Sequence, residues 1–192
     1  MPLIVDHDQR RLEIAALVAR MIATQGLDAV TVRSVAEEAG YSTAVVSHYF
    51  NGKRELLLHC YQLTAARAAR MPAENGEDSL AAFLDALLPC HAQARENWRV
   101  WVVFWGVAIA DPEFSAVQRE QLRAARQRVG GLLAQECPTA SPAALDDEAT
   151  RLLTTLMGVA VQAAFDEPSH WPPERQRRHL RNAISACRAA LR

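Results

Sequence analysis

Lysine is nearly missing from this chain: of 21 basic residues, 20 are arginine, and the single lysine is Lys53. Net charge is also close to absent, at −1, and the first 72 residues hold eight basic and seven acidic side chains. No strongly basic domain is present, so any case for nucleic acid must rest on where individual side chains sit. The four cysteines, Cys60, Cys90, Cys137 and Cys187, lack the close pairs of zinc or redox motifs, which points to free thiols in a reducing compartment. Long hydrophobic runs are missing too. The most apolar stretch, Val100–Ala110, stops at Asp111-Pro112 and falls well short of the ~20 residues that cross a bilayer. No basic stretch leads into an apolar core at the N-terminus, so the expected location is the cytoplasm, with no membrane partner.

Catalytic signatures are absent as well. There is no glycine-rich phosphate loop and no Gly-x-Ser-x-Gly. Glu167 and His170 have the spacing of a di-iron helix motif, but Pro168 interrupts it and no second copy exists. His59-Cys60 and Cys90-His91 are adjacent pairs rather than ligand spacings. No catalytic residue, metal site or cofactor is expected, and the chain does not read as an enzyme.

What is present is helical periodicity. No segment alternates apolar and polar residues long enough for a sheet, while patterns of period 3.6 run nearly throughout, so the expected fold is all-α. The first helix is expected over His7 to Gln25, with Asp6 as its cap, Ile14, Leu17, Val18, Met21 and Ile22 on one face, and Gly26 to end it. Thr31 caps a short helix over Val32 to Ala39, Gly40 makes a turn, and Ser42 caps another through Tyr49. Asn51-Gly52 breaks the chain before a longer helix, Lys53 to Met71. Pro72 and the polar run Glu74 to Asp78 form the clearest loop. The expected division is a first domain over 1–52 and a second domain over 53–192, with 53–71 as connecting helix. Further helices are expected near Ser79–Ala94 (with Pro89 as a kink), Glu96–Ala110 and Glu113–Glu136. Ser141-Pro142 and Pro172-Pro173 start two more.

The segment Thr31 to Phe50 sets two short helices around a glycine turn, with Ala36 small where they cross and Val46 as an anchor. That is the build of a helix-turn-helix. Thr43, Ala44, Ser47 and His48 are short or polar and suit a major groove, and Ser42, which caps the helix, is a further candidate DNA contact. Thr31, Arg33, Tyr49 and Lys53 flank it as candidate backbone contacts. Two blander readings stay open: Tyr49 as a core aromatic, and Arg33 paired with Glu37 one turn on.

With Gly26-Leu27 before it and Tyr49-Phe50-Asn51-Gly52-Lys53-Arg54-Glu55-Leu56-Leu57 closing it, this segment resembles the DNA-binding signature of the TetR family, over roughly residues 10–60. The resemblance implies a phosphate contact by Tyr49 and by Lys53 at the next helix start. The one lysine of an otherwise arginine-only chain stands at that position. It also implies a C-terminal helical domain that binds a ligand and dimerises, making the partners double-stranded operator DNA, a small-molecule effector and a second copy of the chain. Trp98, Trp101, Phe104-Trp105 and Asp111-Pro112-Glu113, with Phe165 to Pro168, are similar to the BetI-type branch, which implies a small cationic effector of the choline or polyamine kind.

Trp98, Trp101 and Trp105 are three and four residues apart, so they share a helix face with Phe104 nearby. Two readings stand side by side. The rings fill a core or interface, or with Phe83 and His91 they line a cation-binding cage in which Asp85 and Asp111 are possible polar partners. Leu152, Leu156, Ala160, Leu180, Ile184 and Cys187 lie on broad apolar faces of the last two helices, and the family implies that such helices pair in a dimer. Two recognition helices then meet half-sites ~34 Å apart on a pseudo-palindrome. A DNA-binding protein that senses nothing is the alternative.

Overall fold

The computed structural model describes the backbone of residues 7–69 and 79–192, and side chains over 7–66 and 79–192. The described residues form helices and no strands, ordered α1 (His7–Gln25), α2 (Val32–Ala39), α3 (Thr43–Tyr49), α4 (Lys53–Ala69), α5 (Leu80–Ala86), α6 (Ala92–Ala110), α7 (Pro112–Glu136), α8 (Pro142–Phe165) and α9 (Pro173–Ala190). The expected all-α class is therefore observed. Asp6, residues 70 and 71, and the boundary expected at Pro72 to Asp78 lie outside the described residues.

Local chemistry sets the first three helices. Gly26, in a left-handed conformation (φ 84°), donates its N–H to the Ile22 carbonyl at 3.0 Å and stops α1. Thr31 and Ser34 form a reciprocal capping box that opens α2. Gly40, at φ 68°, closes α2, and Tyr41 N–H reaches back to the Ala36 carbonyl at 2.8 Å. The turn between α2 and α3 thus uses a left-handed residue where a side chain would be strained.

One compact unit combines α1–α4 up to residue 66 with residues 99–117, which belong to α6 and the start of α7. Its core joins Val18 and Ile22 of α1, Val35 of α2, Val46 of α3, Leu56 and Tyr61 of α4, and Phe104 and Phe114. The core does not stop at residue 52, because α4 is buried together with α1. The rings of Tyr61, Phe104 and Phe114 stack, with Tyr61–Phe104 at 4.6 Å and Phe104–Phe114 at 5.8 Å. Burial pushes the Tyr61 phenol well above its ordinary pKa, so it stays neutral. At the corner after α6, Asp111 Oδ1 accepts the Glu113 and Phe114 N–H groups and so caps α7. The same carboxylate takes a two-pronged contact from Arg54 of α4, both at 3.0 Å, and Glu113 adds a third at 2.6 Å.

The second unit holds residues 67–98 and 118–192. Its core is built from Leu80, Phe83, Leu84 and Leu88, from Val129, Leu132 and Leu133 of α7, and from the inner faces of α8 and α9. The helix expected over Ser79–Ala94 is two helices rather than one kinked one. Pro89 has no N–H to continue α5, which ends at Ala86, and α6 begins at Ala92 rather than Glu96. His91 Nδ1 accepts the Ala94 N–H at 3.3 Å, as a cap on this new start. Gln176, buried at 2% exposure, donates to the Trp171 carbonyl at 2.8 Å, and Trp171 Nε1 donates to Asp166 at 3.1 Å, bracing the α8–α9 connection. Partly exposed ion pairs Arg177–Asp85 and Arg188–Glu136 tie α9 to α5 and α7, each worth about 1 kcal/mol or less.

Because Phe104 is fully buried against two other rings, Phe104→Ala is expected to lower unfolding free energy by about 3–5 kcal/mol in denaturant titration.

Candidate nucleic-acid interface

Helix α3 is seven residues long, two turns, and could not persist alone. Val46 and Tyr49 bury one side of it, while Ser42 caps it by accepting the Val45 N–H at 3.3 Å. Thr43, Ala44, Ser47 and His48, the four residues expected to face a groove, are all exposed, as is Ser42. Val45 is exposed with them at 37%.

The flanking residues are more engaged than their motif suggests. Tyr49 is 9% exposed, its ring packed 4.4 Å from His7 and 5.3 Å from His48, so most of it belongs to the core margin. Thr31 has its hydroxyl in the capping box with Ser34. Arg33 pairs with Glu37 at 2.9 Å, the blander of its two readings. Lys53 donates one N–H to the Leu27 carbonyl at 3.1 Å. An ammonium carries three donors, and this bond holds the charge beside the α1–α2 loop with two donors in hand.

Arg11 was not legible as a site residue, yet it joins the parts. From α1 its guanidinium donates to the Tyr49 carbonyl at 2.6 Å, lies 4.6 Å from the Phe50 ring centroid, and reaches Glu55 at 3.4 Å. A cation on the last carbonyls of α3 suits the negative end of the helix dipole. Glu55 in turn accepts the Asn51 N–H at 2.8 Å, and this bond, with Arg11, holds its carboxyl below the ordinary range. Arg10 lies over the Tyr41 ring at 4.9 Å and contacts its hydroxyl, fixing the turn at the other end of α3.

The sequence over residues 15–60 matches the family described as bacterial regulatory proteins, tetR family, and residues 76–189 match the BetI-type transcriptional repressor C-terminal family. The chain belongs to the TetR family. It is a BetI-type TetR regulator with a helix-turn-helix DNA-binding domain, and its relatives are transcription regulators rather than enzymes. It is 24% identical over 172 residues to the regulator PksA of Bacillus subtilis, covering 86% of this chain and 84% of that one. It is 29% identical over 167 residues to the BetI regulator of Burkholderia cenocepacia, with 82% of each chain covered. Matches to BetI of Vibrio species are shorter and span 64% of those proteins. Among solved structures, a transcriptional regulator from Rhodococcus sp. Rha1 superposes with a TM-score of 0.80 at 24% identity, over 92% of this chain and 95% of that one. A regulator from Saccharomonospora viridis in complex with choline gives 0.75 at 22% identity, over 93% and 96%. No helix among the described residues of this TetR regulator is long and apolar enough to cross a membrane.

Of the two readings of the α6 aromatics, Phe104 takes the core one. Phe104 is sealed in the ring stack of the first unit, where Trp101 is packed against the same core. Phe83 and Trp98 are buried and belong to the second unit, and Trp98 Nε1 donates to the Leu87 carbonyl at 2.7 Å. His91 is an exposed helix cap, Asp85 holds Arg177, and Asp111 holds Arg54. Trp101 and Trp105 are half-buried. The residues expected at a dimer interface are displaced likewise. Leu152, Leu156, Ala160, Leu180, Ile184 and Cys187 are all at most 4% exposed within the protomer, because α8 and α9 first cover each other and α7. Burial pushes the Cys187 thiol up to about 12.

Arg11 positions the recognition helix without needing to touch DNA. Arg11→Ala is expected to destabilise the fold by about 1.5–3 kcal/mol and weaken DNA binding, while the dependence of affinity on salt keeps its slope.

Proposed function

We propose that this regulator is a one-component repressor that binds a pseudo-palindromic operator as a homodimer in the cytoplasm and is released by a small cationic effector. The observation that carries the DNA-binding part is α3: a two-turn helix locked to the core on one side by Val46 and Tyr49, with Thr43, Ala44, Ser47 and His48 open on the other. Thr31, Arg33, Ser42, Tyr49 and Lys53 frame this surface as phosphate contacts, the Lys53 ammonium most directly. Footprinting of the purified protein on DNA upstream of its own gene tests the reading. The expected result is a protected pseudo-palindrome, with Lys53→Ala lowering the slope of log affinity against log salt by about 0.9 for each phosphate left without its cation. No footprint from folded protein, on upstream or selected DNA, would sink it.

A cationic effector is supported by the BetI-type match over residues 76–189 and by the choline bound to the Saccharomonospora viridis neighbour. Trp101 and Trp105 remain candidate contacts for it. To act, the effector must favour one state over the other by typically ~1–3 kcal/mol. Choline and polyamines added to the footprinted complex are expected to release the DNA.

The dimer face is better sought on the outside of the last two helices. Thr154, Gly158 and Phe165 of α8 are exposed, as are Ser185 and Ala189 of α9, and Phe165 is 57% exposed. A Cβ at Gly158 would meet nothing within 4 Å inside the protomer, so a substitution there probes the interface rather than the fold. Gly158→Arg is expected to yield a folded monomer in sedimentation, and an unchanged dimer would place the interface elsewhere.

A further inference from the structure

Helix α3 presents one apolar side chain that its polar neighbours do not explain. With Val46 and Tyr49 turned inward, at about 100° per residue the outward face centres on Ala44, with Ser47 and His48 to either side, and Val45 stands at the margin beyond His48. Val45 is one of three large apolar side chains exposed among the described residues. Its backbone is fixed, since its N–H is the one that Ser42 caps. Ala44 and Val45 thus interrupt with methyl groups a surface otherwise made of hydroxyls and an imidazole. In the major groove, the apolar group that projects from a base pair is the thymine C5-methyl, and cytosine offers only a C5–H at that place. An isopropyl group makes no hydrogen bond, so it gains most against the thymine methyl, and over a polar edge it would bury a donor or acceptor without a partner.

We propose that Val45, together with Ala44, reads a thymine methyl and so fixes an A·T pair at one position of each operator half-site. This rests on the operator-binding reading above. The test uses the full-length protein to select sites from random duplex DNA, then replaces each thymine of the selected site singly with deoxyuridine, which removes the methyl and nothing else. Affinities are compared for wild type, Val45→Ala and Val45→Thr, with circular dichroism confirming helicity. One thymine is expected whose replacement weakens wild-type binding about fourfold, equivalent to about 0.8 kcal/mol for one buried carbon. The same replacement should make no difference to Val45→Ala, and Val45→Thr, alike in shape but with one methyl exchanged for hydroxyl, should show a smaller penalty. Uracil penalties that persist undiminished in Val45→Ala, or a site in which no thymine matters, overturn the proposal while leaving the DNA-binding reading in place. Failure of folded protein to select any DNA would remove both.

Discussion

The reading surface depends on holding a helix too short to hold itself. Two turns of α3 provide few internal hydrogen bonds for the backbone freedom they restrict, so its order is imported. Val46 and Tyr49 supply the buried side, Ser42 satisfies the entry, and Arg11 satisfies the exit by donating to the Tyr49 carbonyl. Gly40 sets the angle at which α3 leaves α2, in a conformation that other residues reach only with strain. Every outward side chain of α3 inherits its position from these contacts. The same few atoms therefore serve as stability and as aim, since a recognition helix displaced by an ångström would still be folded but would meet the wrong base edges.

Arg54 and Asp111 extend this support beyond the helix-turn-helix. Asp111 ends α6, caps α7 and takes both prongs of a guanidinium that sits one residue after Lys53. A single carboxylate thus ties the start of α4 to the corner between two helices that continue into the second unit. Arg54 is more than half exposed, so screening ions weaken the tie.

The sequence made the helix-turn-helix legible because its signals are local. Glycines at fixed offsets, caps three residues from the groups they satisfy, and an apolar stripe each act within one or two turns, and they placed α1, α2 and α3 residue for residue. The long-range partners were not legible. Nothing near Arg11 marks it as the cap of a helix 38 positions on, and Arg54 finds Asp111 across 57. The aromatic face of α6 stayed open between two readings for a related reason. Spacing shows that Trp98, Trp101 and Trp105 point alike, but not what each meets, and Phe104 is taken by Tyr61 and Phe114 instead. Likewise periodicity identified the buried side of α8 and α9 correctly but could not say whose atoms bury it. Pro89 carries a stronger local signal than a kink: with no N–H it ends a helix outright.

The division of the chain has a bearing on engineering. The passage from one unit to the other falls inside α4, α6 and α7, at residues 66, 98 and 117, rather than at a loop among the described residues. Tyr61 therefore completes its core with Phe104 and Phe114, which arrive 43 and 53 positions later in the sequence. A chimera that grafts only the first 66 residues onto a foreign sensor would leave that ring bare. A working transplant must carry residues 99–117 as well, so the two units of this regulator are interleaved in the sequence and cannot be exchanged by a single cut.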